Sequence, residues 1–143
     1  MPPLLKTLIL KRMKDLDQYL TELEPYVSIG FETYLKDREK RYIVERLIQL
    51  IVEVASDINR GVLEARDAAP SETYYSSFEQ LGKLKIIPRE LSIRLASTTG
   101  LRNRLVHHYE DVEHTIVYHS AARLLTDYRR YLKLLHKYLE SAK

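Results

Sequence analysis

A polar run between positions 101 and 109 carries the side chains best suited to chemistry. Within it lie Arg102, Asn103, His107, His108 and Tyr109. Histidine suits a general base near neutral pH because its unperturbed pKa is about 6.5. Arginine is always charged, and its planar fork of N–H groups matches phosphate oxygens. An arginine and a histidine beside one phosphodiester could therefore cut RNA without a metal, through attack of the 2′-OH on the adjacent phosphorus.

The spacing of these residues limits how they can act together. On a straight α-helix Arg102 and His107 lie about 140° apart around the axis, whereas Asn103 and His107 share a face. The arginine side chain could reach round, the helix could bend, or two copies of the chain could combine their segments. Phosphodiester cleavage also needs both a base and an acid, and one segment offers one suitably placed histidine. A second copy would supply the second histidine.

Helical periodicity along the whole chain predicts the elements that position this run. A first helix ends at Pro25 or just before it, and a long second helix begins as early as Phe31. A shorter third helix runs from Tyr74 to about Gly82, where the glycine is placed to end it. Ser71 or Thr73 provides its N-cap.

The polar run lies on a fourth helix that begins near Pro88 and has Gly100 as a possible bend. A last long helix carries apolar and tyrosine residues in alternating steps of four and three, typical of a core face or a dimer seam. The residues of this heptad seam are Val117, Ala121, Leu124, Tyr128, Tyr131, Leu135 and Tyr138. The sequence therefore predicts an all-α, single-domain bundle of about five helices over residues 1–143.

Composition narrows the class of protein further. The 143 residues contain no cysteine, which excludes disulfides, thiol nucleophiles and cysteine-based metal sites. No apolar stretch approaches the ~20 residues of a membrane span, and Lys6 interrupts the apolar N-terminus, which does not resemble a signal peptide. We therefore expect a cytoplasmic protein. The net charge of +3 is compatible with an RNA substrate but is weak support for one.

The segment RNRLVHHY resembles the Arg-x4-His-x-Tyr motif of HepT-like HEPN proteins, with Arg102, His107 and Tyr109 in its three named positions. The stretch ERLIQLIVEVASDINRGVLEARD resembles the long second helix of that family. SETYYSSFEQLGKLKIIPRELSIRLASTTGLRNRLVH resembles its approach to the motif. The resemblance extends roughly from Glu39 to the C-terminal helix.

Membership of this family would imply a HEPN-like fold and a ribonuclease toxin with catalytic Arg102 and His107. Asn103 would support them by orienting the histidine or holding a phosphate oxygen. The resemblance also implies a homodimer whose two motifs line one cleft, and a nucleotidyltransferase antitoxin of the MntA type that attaches AMP to Tyr109. On a continuing helix Tyr109 would lie within about 20° of the Arg102 direction and flank the phosphate site. No cofactor is implied.

Other interpretations of the same residues remain open. The chain could be a non-catalytic HEPN subunit that binds a nucleotide or docks a nucleotidyltransferase, or a helical dimer without a site. Tyr109 could simply pack its ring at a helix end. Asp57 and Arg60 on the second helix could hold the motif by salt bridges. The histidines at 107, 108, 114 and 119 lack the i, i+4 spacing of a helical metal site, so we expect no metal.

Overall fold

The structure of the protein, a computed structural model, describes residues 1–141. Ala142 and Lys143, the end of the domain predicted over residues 1–143, lie outside the described residues. The elements are α1 (Pro3–Val27), α2 (Phe31–Lys36), α3 (Arg38–Ala65), α4 (Tyr74–Lys83), α5 (Arg89–His107), a 3-10 turn (Tyr109–Asp111) and α6 (His114–Ser141). The all-α prediction is confirmed: five longer helices and the short α2 make up the described chain.

Two boundaries in the first third of the chain differ from the prediction. Pro25 does not end α1, which continues to Val27. Proline has no backbone N–H, so in this position it removes one hydrogen bond from the last turns of the helix. The segment from Phe31 is not continuous with the long helix either, because Asp37 is extended, at φ −108° and ψ 101°. Its carboxylate caps α3 by accepting the Lys40 backbone N–H at 3.2 Å.

Helix α4 was placed correctly to within a residue, but Gly82 has a different role from the one predicted. Thr73 is the N-cap, and its hydroxyl accepts the Ser76 backbone N–H at 3.0 Å. Gly82 is buried against α5, where an added Cβ would lie 2.7 Å from the Ser92 Cβ. Gly82 therefore permits close packing of two helices, while the chain turns at Lys85, which has a positive φ of 60°.

One contiguous core holds the helices together, and α3 contacts each of the other five. The heptad seam of α6 faces this core: Val117, Tyr128, Tyr131 and Leu135 are fully buried. The Tyr131 hydroxyl donates to Asn59 Oδ1 at 2.5 Å, which satisfies a polar group in the interior. Because the seam packs within the protomer, it is not a surface on which two copies could pair.

Helix α5 presents its leucines to the core and its polar run to the surface. Leu91, Leu95, Leu101 and Leu105 are buried, as the periodicity predicted. The helix passes through Gly100 and ends at His107. His108 leaves the helical conformation, at φ −134° and ψ 43°, and its backbone N–H bonds to Arg104 O at 3.0 Å. The two catalytic candidates therefore lie in the last two turns of one helix.

None of the helices in residues 1–141 combines the length and the apolar character needed to cross a membrane.

Candidate active site at the end of helix α5

Arg102 is held by two neighbours in the structure. Its Nε and Nη2 donate to Glu53 Oε2 on α3, at 3.0 and 2.7 Å. Its Nη1 donates to Asn103 Oδ1 at 3.3 Å. The Arg102 side chain is 15% exposed and that of Glu53 is 27% exposed, so solvent screens this ion pair less than it would a surface pair. Arg102 is thus fixed in one orientation before any ligand arrives.

An aromatic ring completes the surroundings of Arg102. The guanidinium carbon lies 4.8 Å from the ring centre of Tyr74, the first residue of α4. Arg60 lies 5.2 Å from the same centre, so the ring attracts two cations. The sequence left open whether Asp57 and Arg60 hold the motif by salt bridges, and among residues 1–141 they make none to it. They pair with each other at 3.8 Å, one helical turn apart on α3.

His107 is exposed at the C-terminal end of α5, as is His108 just beyond it. Its direction from the axis differs from that of Arg102 by about 140°, as on any straight helix. It lies only about 60° from Arg104, one turn earlier. Helix α5 is continuous through Gly100, and the Arg102 side chain turns towards α3. Within one chain, the two catalytic candidates are therefore neighbours along the helix that point in different directions.

A groove of about 410 Å³ runs between α5 and α6 on the Arg104 side. Its basic lining residues are Arg94, Arg104, His119 and Arg123. Asp127 is the acidic residue of the lining and is already paired with Arg94, at 3.1 Å. The Asp127 carboxylate raises the pKa of Arg94 through their hydrogen bond. Arg104 and Arg123 remain to give the groove a positive potential, which suits a polyanion.

Tyr109 does not lie where the sequence placed it. The helix ends before it, and Tyr109 begins the 3-10 turn. Its hydroxyl donates to Glu45 Oε1 on α3 at 2.9 Å. Glu45 and Glu53 are eight residues apart, or about 12 Å along the helix, so the anchors of Tyr109 and Arg102 are separated by that distance. The prediction that Tyr109 flanks Arg102 on a continuing helix is wrong.

The surroundings of the Tyr109 hydroxyl keep it protonated. Burial and the hydrogen bond to Glu45 raise the pKa of Tyr109 to about 12. Glu45 itself is 6% exposed. Its second oxygen, Oε2, lies 3.9 Å from His114 Nδ1, and neither atom has a hydrogen-bond partner among the described residues. A buried carboxylate is therefore in direct contact with the tyrosine of the motif.

Residues 1–141 contain no group of three or more histidine, aspartate or glutamate side chains arranged to hold a metal ion. His114, one of the histidines considered for a metal site, instead lies beside Glu45.

Sequence reasoning missed the partners that organise the site. Glu45, Glu53 and Tyr74 were given no role. A signal for Glu45 was present, since it stands where the apolar stripe of α3 continues through Ile48 and Val52. A carboxylate at a core-facing position is costly unless it has a partner. Glu53 gives no comparable signal, because nothing local distinguishes it from a solvated glutamate.

Comparison with known proteins supports the resemblance seen in the motif. The family model described as Ribonuclease HepT-like matches residues 16–135. The tRNA nuclease HepT of Aphanizomenon flos-aquae is 36% identical over 128 residues, covering 90% of this chain and 87% of that protein. The mRNA nuclease HepT of Shewanella oneidensis is 26% identical over 92 residues, covering 64% of this chain and 66% of that protein.

The fold is similar to that of a solved toxin. In the structure of the tri-AMPylated Shewanella oneidensis HEPN toxin in complex with MNT antitoxin, the similar chain has a TM-score of 0.84 and 20% identity. The similarity covers 96% of this chain and 99% of that one. The family model spans most of the chain, and a relative above 30% identity covers nearly all of it. The chain belongs to the HepT-like ribonuclease family.

Proposed function

We propose that this protein is a metal-independent ribonuclease and the toxin of a toxin–antitoxin pair. Arg102 binds the scissile phosphate, His107 acts as the base, and Asn103 supports Arg102. The observation that carries the proposal is an arginine held by hydrogen bonds and an exposed histidine in the last two turns of α5, next to a groove lined by further arginines. Relatives named as tRNA and mRNA nucleases support RNA as the substrate class.

The chemistry needs only groups that the chain and the RNA supply. His107 removes the proton of a 2′-OH, and the resulting oxygen attacks the adjacent phosphorus. The bond from phosphorus to the 5′-oxygen breaks, and that oxygen leaves with a proton from an acid. Arg102 stabilises the charge that develops on the phosphoryl oxygens. The products are a 2′,3′-cyclic phosphate on one fragment and a 5′-OH on the other.

A homodimer supplies what one chain lacks. Within a protomer Arg102 and His107 point in directions about 140° apart, and one motif offers one well-placed histidine. When two copies bring their α5 ends together, the arginine of one motif can face the histidine of the other. The second histidine then acts as the acid that protonates the leaving oxygen. The dimer contact involves surface residues, because the heptad seam of α6 is buried within the protomer.

The groove between α5 and α6 extends the site along the RNA. Arg104 lies one helical turn from His107 and lines this groove with Arg123. These arginines bind the phosphates on either side of the cut and contribute affinity without choosing a sequence. Arg104 is distinct from the clamp at Arg102, since these two arginines point about 160° apart around the axis of α5.

The proposed partner is an MntA-like nucleotidyltransferase antitoxin that attaches AMP to Tyr109. The solved complex of a tri-AMPylated HEPN toxin with MNT antitoxin supports both the partner and the type of modification. Tyr109 fits the role because its ring is half exposed in the turn that follows the catalytic helix. We place the protein in the cytoplasm, where its RNA substrate is found.

One observation favours a second candidate function. Two N–H groups of Arg102 already bond to a carboxylate, so part of its charge is neutralised within the protein. The chain would then be a non-catalytic HEPN subunit that binds a nucleotide or docks the nucleotidyltransferase through the same surface.

Mapping of product ends distinguishes the two functions. The purified wild-type protein is incubated with total RNA, and the new ends are sequenced after treatments specific for cyclic phosphate and for 5′-OH. A ribonuclease of the proposed kind yields both ends, and Arg102→Ala reduces them by at least ~10²-fold. RNA left intact by the folded wild-type protein would favour the docking subunit. Ends with a 5′-phosphate would show that another nucleophile makes the cut.

A further inference from the structure

Glu45 is a buried carboxylate that the proposed cleavage reaction does not use. It stands on the core-facing side of α3 and is 6% exposed. An ionised carboxylate in such a place is costly unless hydrogen bonds or cations compensate for the lost water. Its position therefore needs an explanation other than surface charge.

The contacts of Glu45 connect it to the motif. The Tyr109 hydroxyl donates to Glu45 Oε1 at 2.9 Å. The other oxygen, Oε2, has no hydrogen-bond partner among the described residues, and the nearest cationic candidate is His114 Nδ1 at 3.9 Å. Glu45 thus accepts a hydrogen bond from the Tyr109 hydroxyl through Oε1, and Oε2 could accept a further one.

We propose that Glu45 is the general base that takes the phenolic proton of Tyr109 when a nucleotidyl group is transferred to its hydroxyl. This inference rests on the proposed modification of Tyr109. In the transfer, Tyr109 Oη forms a bond to the α-phosphorus of a nucleoside triphosphate delivered by the nucleotidyltransferase. The bond from that phosphorus to the bridging oxygen breaks, and pyrophosphate leaves with the electron pair. The proton passes from Tyr109 Oη to Glu45 Oε1.

The state of Tyr109 explains why a base is needed. With its pKa raised to about 12, Tyr109 is almost wholly protonated near neutral pH. A neutral phenol is a weak nucleophile, and an adjacent base activates it by taking the proton as the new bond forms. The hydrogen bond already places donor and acceptor at the distance that proton transfer requires. The toxin chain therefore supplies its own base for its own modification.

The test measures AMP transfer to matched variants on α3. Wild type, Glu45→Gln, Glu45→Asp and Glu64→Gln are incubated with the cognate nucleotidyltransferase and ATP, and the AMP on Tyr109 is followed by mass spectrometry. Glutamine can still accept the Tyr109 hydrogen bond but is no base, so Glu45→Gln should slow transfer by at least ~10²-fold. The KM for ATP should stay unchanged. Glu64 is exposed, and Glu64→Gln should behave as wild type.

Glu45→Asp separates a chemical role from a packing role. It keeps a carboxylate but shortens the side chain, so it disturbs packing more than glutamine does and still has a base. Transfer rates are divided by the folded fraction of each variant, measured by circular dichroism, and faster transfer to Glu45→Asp than to Glu45→Gln on that scale supports the proposal. Equal or slower transfer to the aspartate variant would overturn it, as would wild-type transfer to Glu45→Gln.

RNA cleavage by the same unmodified preparations keeps this inference apart from the proposed function. If wild type cleaves RNA but gains AMP at a residue other than Tyr109, or gains none, the role of Glu45 is wrong and the ribonuclease stands. If wild type gains AMP on Tyr109 but cleaves no RNA, the ribonuclease is wrong and the comparison of Glu45 variants still decides the base.

Discussion

The guanidinium of Arg102 donates from Nε and Nη2 to a single carboxylate oxygen of Glu53, 49 positions earlier in the chain, at 3.0 and 2.7 Å. The bonds use one edge of the planar fork, and Asn103 takes one further bond from Nη1 at 3.3 Å. Arginine has N–H groups beyond these three bonds, and they are available to a phosphate. Glu53 thus orients the cation without using up its capacity to donate.

The first prediction concerns this orientation. Glu53→Ala should lower kcat/KM for RNA cleavage by roughly 10- to 10²-fold, because a displaced clamp binds the transition state poorly. Asp57→Asn is the matched control, since Asp57 lies one turn further along α3 and pairs with Arg60. Cleavage kinetics of the two purified variants check this. If Asp57→Asn were as damaging as Glu53→Ala, the effect would come from α3 in general.

The second prediction concerns the Tyr109 hydroxyl. Tyr109→Phe should keep its fold and cleave RNA, yet escape inhibition by the nucleotidyltransferase. It should lose about 1 kcal/mol of unfolding free energy, because the buried Glu45 then lacks its hydrogen-bond donor. Chemical denaturation and cleavage after incubation with antitoxin and ATP measure the two effects. Undiminished inhibition of the Phe variant would leave Tyr109 as a packing residue.

The same contact predicts a difference at alkaline pH. The pKa of Tyr109 is raised in the folded state to about 12 from its usual 10.0. The stability that this hydroxyl contributes is therefore complete below pH 10 and is lost as pH rises towards 12. Wild type should lose more unfolding free energy than Tyr109→Phe across that interval. Parallel pH profiles for the two proteins would contradict the contact between Tyr109 and Glu45.

The third prediction separates binding from chemistry. Arg104→Ala and Arg123→Ala should each raise KM for RNA, with kcat little changed. Each should also reduce by about one the salt slope, which is the slope of the logarithm of the binding constant against the logarithm of the salt concentration. Lys14→Ala on α1, exposed and remote from the groove, is the control and should leave the slope unaltered. Binding titrations over a range of salt concentrations measure this. A fall in kcat with KM unchanged would move Arg104 into the catalytic machinery.

The fourth prediction is a homodimer in solution. Two motifs are needed to supply a base and an acid, so light scattering should give twice the 16.9 kDa mass of the chain. A mixed dimer of one wild-type and one His107→Ala protomer should lose cleavage about as fully as a dimer of two His107→Ala protomers, since one histidine cannot serve the shared site as both base and acid. A stable and fully active monomer would contradict the shared site.

The helices could be predicted from the sequence because each has a local cause. The leucines of α5 and the heptad seam of α6 repeat at helical spacing, and all seven seam positions but Tyr138 are buried. The same seam also suited a dimer interface, because periodicity shows that a helix face is apolar. It does not show whether that face packs within the protomer or against a second copy. The break at Asp37 was missed because a single extended aspartate between two helical stretches gives a weak signal.

The residues of the motif could be predicted from the sequence, but the side chains that contact them could not. Arg102, Asn103 and His107 lie on one helix, so a local pattern could identify them. Glu53 and Tyr74 reach Arg102 only through the packing of α3 and α4 against α5, which no local spacing encodes. The position of Tyr109 depended on where α5 ends. The sequence carries neither glycine nor proline at position 108 to mark that end.

In the proposed mechanism His107 drives cleavage without a metal, and one assay tests this role directly. Wild type, His107→Ala and His108→Ala are incubated with RNA in excess EDTA, and initial cleavage rates are compared. Wild type should cleave at the same rate with or without EDTA, and the cleavage rate of His107→Ala should fall by at least ~10²-fold. His108→Ala should stay close to wild type. Loss of wild-type cleavage on chelation that a divalent ion restores, or a larger loss in His108→Ala than in His107→Ala, would contradict it.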